Sequence, residues 1–344
     1  MKLLCLVDGK VVPPDRWIWN YLPEEAQGDT VDFMNVDSVR DRFPGWGKLL
    51  DYYPVYLLLA YRAIAESRDQ QYDAIVGWEA KHGFTVAILR SILRVRSPKL
   101  IILAFSYKGI VTNFNWFGRW VMKNVDRVTV VSPAEVSYYA KLLDFPAEGI
   151  THVPLGWYDR FSDIDVSSQE LGDFIFASGR SYRDYATLCQ AIKGVNYPLV
   201  VNARQFNIKG LEWPSNVKIN PYLPTNEFNA IMIKARFMIV PLQDTLHAAG
   251  EGHIIQAMSA GKALVATRTP SSESYIEDGK TGILVEPYNA EAMRNAINYL
   301  LAHPEDVRSM GERARKRFEE HYTFKAFAER SYRTLQHAVA RGKA

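Results

Sequence analysis

Short apolar runs recur along this chain. Each is followed by a longer segment whose apolar residues fall at helical spacing, and that alternation constrains the fold more than any other feature. In the first half the runs are Leu3–Val7, Ala74–Gly77 within YDAIVG, Leu100–Phe105 (LIILAF) and Val128–Val131 (VTVV). Between them, Leu49–Arg68, Phe84–Leu93 and Asn115–Asn124 carry a helical period. The runs are continuously apolar, as strands of a parallel sheet covered on both faces require. Strands alternating with helices predict βαβ units in a doubly wound α/β fold.

The pattern breaks at residues 154–172, PLGWYDRFSDIDVSSQELG, a polar and turn-rich stretch, and then restarts. Strands are predicted at Phe174–Ala177, Leu199–Val201, Phe237–Pro241, Ala263–Thr267 and Ile283–Val285. Helices are predicted at Tyr185–Lys193, Glu227–Lys234, His253–Ala260, Ala290–Ala302, Pro304–Glu320 and Lys325–Val339. A length of 344 residues suits two domains. They are drawn at 1–160 and 161–324, with 325–344 as a terminal helix.

Charge narrows the function. Lys and Arg number 41 against 38 Asp and Glu, a net charge of +3, which argues against a dedicated nucleic-acid binder. The two cysteines, Cys5 and Cys189, offer no disulfide framework, zinc ribbon or iron–sulfur cluster, and they predict a reducing, cytoplasmic compartment. Asp8 ends the first apolar run too early for a signal-peptide core, and no run is long enough to predict a membrane span.

In open parallel sheets, ligands bind beyond the carboxyl ends of the strands. This nominates Asp8–Gly9, Trp78–Gly83, Ser106–Gly109 and Ser132–Pro133 in the first half. In the second it nominates Ser178–Arg183, Ala203–Arg204, Gln243–Gly252 and Thr267–Ser272.

Two of these segments have phosphate-binding chemistry. AAGEGHIIQAMSAGKALVAT, Ala248–Thr267, reads as a glycine loop, a helix, a glycine stop and a strand. Gly250 and Gly252 allow close backbone approach, and free N–H groups near Gly252, His253 and Ile254 would hold a phosphate or diphosphate. In FASGRSYRDY, Phe174–Tyr185, Arg180 and Arg183 flank a strand-end bend and could clamp a diphosphate. The plainer alternatives are an ordinary loop–helix–strand unit and two solvated arginines. In WEAKHG, Glu79, Lys81 and His82 offer acid, cation and base where a strand ends; the alternative is solvated charges with His82 capping the next helix.

The run QAMSAGKALVAT…ESYIEDGKTGILVEPYNAEAMRNAINYLL…MGERARKRFEEHYTF resembles the C-terminal domain of the group 1 (family 4) glycosyltransferases. GRSYRDYATLCQAI resembles the start of that domain, and VDRVTVVSPAEVSYYAKLL with ITHVPLGWYDRF the end of the first domain and the linker. The resemblance is close over 175–335, looser over 70–160 and weak over 9–70. It implies the GT-B architecture, two facing Rossmann-like domains with parallel sheets and an inter-domain cleft. The first would bind the acceptor and the second the donor, with the terminal helix crossing back to the first.

It also implies transfer of a sugar from a UDP- or GDP-sugar with retention of configuration. The nucleotide sugar is then a co-substrate, with no other cofactor and no metal. The acceptor would be a sugar, a lipid-linked molecule or a polysaccharide precursor. Arg180 and Arg183 would take the roles of the family's paired Arg and Lys, with Gly252, His253 and Ile254 presenting the helix N-terminus. The family's two glutamates fall here at Ala248 and Gln256. Gln256 can still hydrogen-bond a ribose, and Glu251 could replace the first glutamate. Together with Glu79 and His82, Glu251 is a candidate catalytic residue. The histidine that relatives place after the third strand is replaced by Ser106 or Tyr107. The missing pair keeps two other readings open, a non-catalytic sugar-nucleotide binder or partner subunit, and a nucleotide-sugar epimerase.

One local excess remains. From Ala80 to Val125 there are eight cations, Lys81, Arg90, Arg94, Arg96, Lys99, Lys108, Arg119 and Lys123, and no acid. Trp116, Phe117 and Trp120 lie among them. Such interleaving suits docking on an anionic membrane surface from the cytoplasmic side, or else aromatics in the core and cations in water.

Overall fold

The computed structural model describes residues 1–9, 17–21, 26, 28–40, 53–106, 115–163, 165, 170–221 and 223–340. The chain divides into two compact units, Met1–Pro154 with Lys325–Ala344, and Leu155–Phe324.

In the first unit the strands are β1 (Lys2–Val7), β2 (Thr30–Asn35), β3 (Ala74–Gly77), β4 (Lys99–Ile102), β5 (Arg127–Val130) and β6 (Ile150–His152). They form one sheet in the order β2-β1-β3-β4-β5-β6, every pair parallel. The helices are α1 (Val36–Arg40), α2 (Tyr53–Asp69), α3 (Ala80–Leu93), α4 (Asn115–Met122) and α5 (Ala134–Leu143). Leu4, Leu6, Ile75, Ile102, Val128 and Val130 share a core with Leu59 and Ala63 of α2, Val86 of α3, Val121 of α4 and Tyr139 of α5. Strand β3 enters α3 through a tight crossing. A Cβ at Gly77 would stand 2.5 Å from the Gly83 nitrogen, so only glycine fits there.

In the second unit β7 (Ile175–Ser178), β8 (Leu199–Asn202), β9 (Val217–Asn220), β10 (Met238–Val240), β11 (Leu264–Thr267) and β12 (Ile283–Val285) make a second parallel sheet, ordered β12-β11-β10-β7-β8-β9. Its helices are α6 (Tyr185–Ile192), α7 (Gln205–Ile208), α8 (Thr225–Lys234), α9 (Glu251–Ser259), α10 (Pro270–Tyr275), α11 (Ala290–Ala302) and α12 (Pro304–His321). Alternate strand residues feed two cores. Phe176, Met238, Val240, Leu264 and Ala266 pack with α8, α9 and α12, while Ile175, Ala177, Leu199, Val201 and Val265 pack with α6 and α11. Both faces are therefore dry, which explains the continuously apolar runs.

Residues 155–160 are tied to the second unit by polar bonds. The Trp157 N–H donates to the Tyr322 carbonyl at 2.9 Å, and the Arg315 guanidinium forks onto Asp159 at 2.8 and 2.6 Å. The last helix, α13, runs Phe324–Ala340, and its residues from Lys325 group with the first unit. There Tyr332 donates to Asp29 at 2.7 Å, and Phe327 meets Trp78 edge to face.

In both sheets the strand order reverses once, between β1 and β3 and between β7 and β10. At such a switch point the flanking connections leave toward opposite faces, opening a crevice at the strand ends.

Packing around α12 makes one clear prediction. Gly311 lies on the Gly261 carbonyl, and a Cβ there would come within 2.2 Å of that oxygen. Ala in place of Gly ordinarily favours a helix by about 1 kcal/mol. Here the overlap with backbone wins, and Gly311→Ala should destabilise the protein by about 1–3 kcal/mol in urea unfolding. A more stable Gly311→Ala variant would disprove this packing.

Candidate functional site

The second switch point holds a buried arginine. Strand β7 ends at Ser178, Gly179 follows with φ +138°, and Tyr182 takes a left-handed φ of 53°. This bend turns the Arg183 guanidinium back under the Gly179 backbone. A Cβ at Gly179 would stand 2.0 Å from Arg183 Nε, so glycine is needed both for its φ and for that approach. Arg183 Nε donates to the Ser178 carbonyl at 3.1 Å, and one terminal nitrogen donates to the Ser181 carbonyl at 2.8 Å. The other terminal nitrogen lies 3.2 Å from His253 Nδ1. These contacts use three of the five N–H donors of the guanidinium. Asp184 then caps α6 through the Thr187 N–H at 3.1 Å.

His253 comes from the first turn of α9. Burial and the neighbouring Arg183 charge push its pKa down to about 3, so its ring is neutral. Because Arg183 donates to Nδ1, the ring proton sits on Nε2 and points to Ser178 Oγ at 3.3 Å. Ser178 Oγ in turn accepts from Asn202 Nδ2 at 3.2 Å. A neutral histidine thus orients Arg183 without adding a competing cation. Burial works against the Arg183 charge, and Tyr185 and Glu251 oppose that effect.

Helix α9 starts on Gly250, left-handed at φ 91°, with no side-chain cap. The Glu251 carboxylate supplies one instead. It is buried, it accepts from Ser271 Oγ, and it bonds the N–H groups of Glu251 and Ala249. Burial raises its pKa, and those bonds with the Arg183 charge work the other way. Gln256 bends back to the Gly252 carbonyl at 2.9 Å. Ile254 is buried in the core, and Gly252 lies beside Trp157 with room for a Cβ. The Arg180 side chain is exposed. His247 stacks on Tyr182 at 5.9 Å.

The first switch point holds a separate cluster centred on Asp8, just past β1. Its carboxylate accepts from Tyr56 of α2 at 2.7 Å and from His82 Nε2 at 3.0 Å, and it is paired with Lys81. Lys81 also meets Glu79 at 3.0 Å. Burial works against the Asp8 charge. Hydrogen bonds from Lys81 and Tyr56, with the charges of His82 and Lys81, outweigh it and hold the carboxyl below its usual range. Hydrogen bonds to Asp8 and Glu79, with their charges, raise the Lys81 pKa against burial, and burial with Asp8 pushes Tyr56 up to about 12. His82 is fully buried, and burial lowers its pKa despite Asp8 and Glu79. Its Nδ1 has no partner among the described residues. Glu79 occupies the N-cap position of α3 without a side-chain bond to the helix, and neither does His82 cap it.

Of the residues expected from sequence, the structure brings Arg183 and His253 together and ties Glu251 to the same helix start. It joins Glu79 and His82 through Lys81 and Asp8. Asp8 and Ser178 were visible only as strand-end positions, and Tyr56 lay unremarked inside a helix. Of the strand-end candidates, Tyr107, Lys108 and Gly109 lie outside the described residues. No group of three His, Cys, Asp or Glu placed to hold a metal ion occurs among the described residues.

Two doubly wound parallel sheets with polar clusters at their switch points define the GT-B class, and solved structures agree. Sucrose-phosphate synthase from Thermosynechococcus elongatus superimposes with a TM-score of 0.71 at 16% identity, over 99% of both chains. HepE from Anabaena, in complex with UDP, superimposes with a TM-score of 0.68 at 15% identity, over 98% of this chain and all of that one. Residues 202–317 match the family described as glycosyl transferases group 1. The D-rhamnosyltransferase WbpZ of Pseudomonas aeruginosa is 24% identical over 151 residues, which span 42% of this chain and 39% of that protein.

The His253 environment predicts a pH dependence. Unfolded, the ring titrates near 6.5; folded, near 3. Below 6.5 the unfolded chain takes up a proton that the folded chain refuses. Stability therefore falls as pH drops from 6.5 toward 3, by at most about 1.4 kcal/mol per unit. Above 6.5 the residue contributes no slope. Urea unfolding of the wild type and His253→Asn at several acidic pH values should show a shallower slope in the variant. Equal slopes would mean that the ring is not held neutral.

Proposed function

We propose that the protein transfers a sugar from a nucleoside diphosphate sugar to an acceptor hydroxyl, retaining the anomeric configuration. The observation that carries this reading is the buried Arg183, oriented by neutral His253 and by Ser178 at the second switch point. When the bond from the sugar carbon to the phosphate oxygen breaks, negative charge builds on the diphosphate. In this reading the two N–H donors that Arg183 has left would meet that charge, and preorganised donors lower the barrier. Arg180 adds an exposed cation at the same bend, and the first turn of α9 adds the positive end of its dipole. Gly252, His253 and Ile254 place that turn, and Gln256 with its side-chain amide meets the ribose. Glu251 holds the start of α9 through Ser271 and so positions it.

These groups supply the counter-charge that a divalent ion supplies elsewhere, so no metal is required in this reading. The HepE structures with UDP and with UDP-glucose make uracil the first base to try. The Asp8 cluster serves the acceptor in this reading. Asp8, Glu79 and Lys81 present a half-exposed carboxylate–ammonium array of the kind that binds sugar hydroxyls, and His82 holds Asp8 from beneath. The acceptor is a sugar or a lipid-linked molecule.

One observation favours a second reading, a sugar-nucleotide binder without turnover. Glu251, the carboxylate nearest the donor helix, is turned to Ser271, and positions 248 and 256 carry no acid.

A thermal-shift panel of UDP, GDP, ADP and their sugars tests binding. Arg180→Ala should weaken the stabilising nucleotide about tenfold while leaving the unliganded melting temperature unchanged, since the residue is exposed. If no nucleotide stabilises the fold, the donor site is wrongly assigned. Slow donor hydrolysis separates the transferase from the non-catalytic reading, and chelation with EDTA should not change its rate. Asp8→Asn should lower transfer to an acceptor while leaving nucleotide affinity as in the wild type. A loss of nucleotide affinity in Asp8→Asn would overturn the division of labour.

A further inference from the structure

Helices α3 and α4 lie side by side on one face of the first sheet. Phe84 of α3 meets Phe117 of α4 at 6.3 Å, and Asn124, just past α4, donates to Ser91 at 2.7 Å. Their inner residues, Val86, Ala87, Val121 and Met122, complete the core. Their outer residues do not look like a solvated face. Trp116 is 69% exposed and Trp120 39%, one helical turn apart, and the end of α3 leaves Ile92 62% and Leu93 46% exposed. Phe117 stands between the two tryptophans at 6.0 and 5.8 Å. Trp116 and Trp120 leave a pair of large apolar side chains open on this unit's described surface.

Cations flank them. Arg119 lies on α4 with the tryptophans, Lys123 just past its end, and Arg94 and Arg96 follow Leu93, all four exposed. From Ala80 to Val125 the sequence has no acid. Asp126, the first one after it, is already held by Lys99 at 2.9 Å and by the Leu100 N–H at 2.8 Å. Asp144 and Glu148 share a cavity of about 510 Å³ with Arg96, Lys123 and Arg127.

We propose that this outer face of α3 and α4 docks on the surface of an anionic lipid bilayer. Tryptophan, with an apolar body and one N–H, favours the boundary between hydrocarbon and water, and arginine and lysine reach past it to anionic headgroups. A second copy of this chain fits less well, since a two-fold contact would set these cations against themselves. A protein partner fits less well too, because lysine is depleted where proteins meet and exposed tryptophans there sit in pockets. Among the described residues no helix is long and apolar enough to cross a membrane, so the proposal concerns attachment to the surface. It does not depend on the donor-site reading.

Flotation of the full chain with lipid vesicles tests it. The wild type should float with vesicles containing phosphatidylglycerol, much less with phosphatidylcholine alone, and should be released by high salt. Trp116→Ala with Trp120→Ala should weaken binding about tenfold, and Arg119→Glu with Lys123→Glu by a similar factor. All four side chains are exposed, so both double variants should keep the wild-type melting temperature and nucleotide response. The proposal is overturned if the wild type does not bind anionic vesicles, if binding ignores salt, or if the tryptophan variant floats as well as the wild type. A dimer in sedimentation velocity that disappears in the tryptophan variant would assign the face to a second copy and equally overturn it.

Discussion

Burying the Arg183 guanidinium is the constraint on which the strand ends of the second unit depend. A buried cation needs partners for its donors, and here two backbone carbonyls and a histidine nitrogen take three of the five. That requirement explains Gly179, whose missing Cβ leaves room for the guanidinium. It explains why His253 is neutral, since a protonated ring could accept nothing from Arg183. It also accounts for the carboxylate of Glu251 nearby, which opposes the burial penalty from the start of the next helix. The residues that would meet a diphosphate are therefore held by a network with little freedom to move.

The first unit solves a similar problem differently. Its switch-point cluster is built on a carboxylate, half exposed, with cations and a phenol converging on it. Tyr56 arrives from α2, Lys81 and His82 from the first turn of α3, and Asp8 from the end of β1. A half-exposed array of this kind can exchange partners with a polar ligand, whereas Arg183 cannot leave its cage. The two sites thus differ in rigidity as well as in sign of charge.

Much of this was legible from residues alone. Continuous apolar runs located most of the strands in both sheets, because a strand buried on both faces cannot alternate with polar residues. The strands that escaped notice, β2, β6 and β9, are flanked or interrupted by polar residues such as Asp32, His152 and Lys218. Each sits at the edge of its sheet, where burial is partial. Arg183 and His253 were nominated separately, at two strand-end turns, but 70 residues separate them, and nothing in the spacing says that one donates to the other.

The sequence by itself determined two parallel, doubly wound sheets, the glycine loops at their strand ends and an acid-free basic stretch rich in tryptophan. Those properties follow from local periodicity and composition. Only the tertiary structure decided which strand ends matter. Strand order reverses beside β1 and β7, and that order depends on long-range pairing, which leaves no local trace. It also decided the direction of Glu251, because a carboxylate at a helix start can face a ligand or cap the helix. The buried Ser271 hydroxyl selects the second. Whether a tryptophan is core or surface was settled the same way, by which side of α4 the neighbouring helix covers.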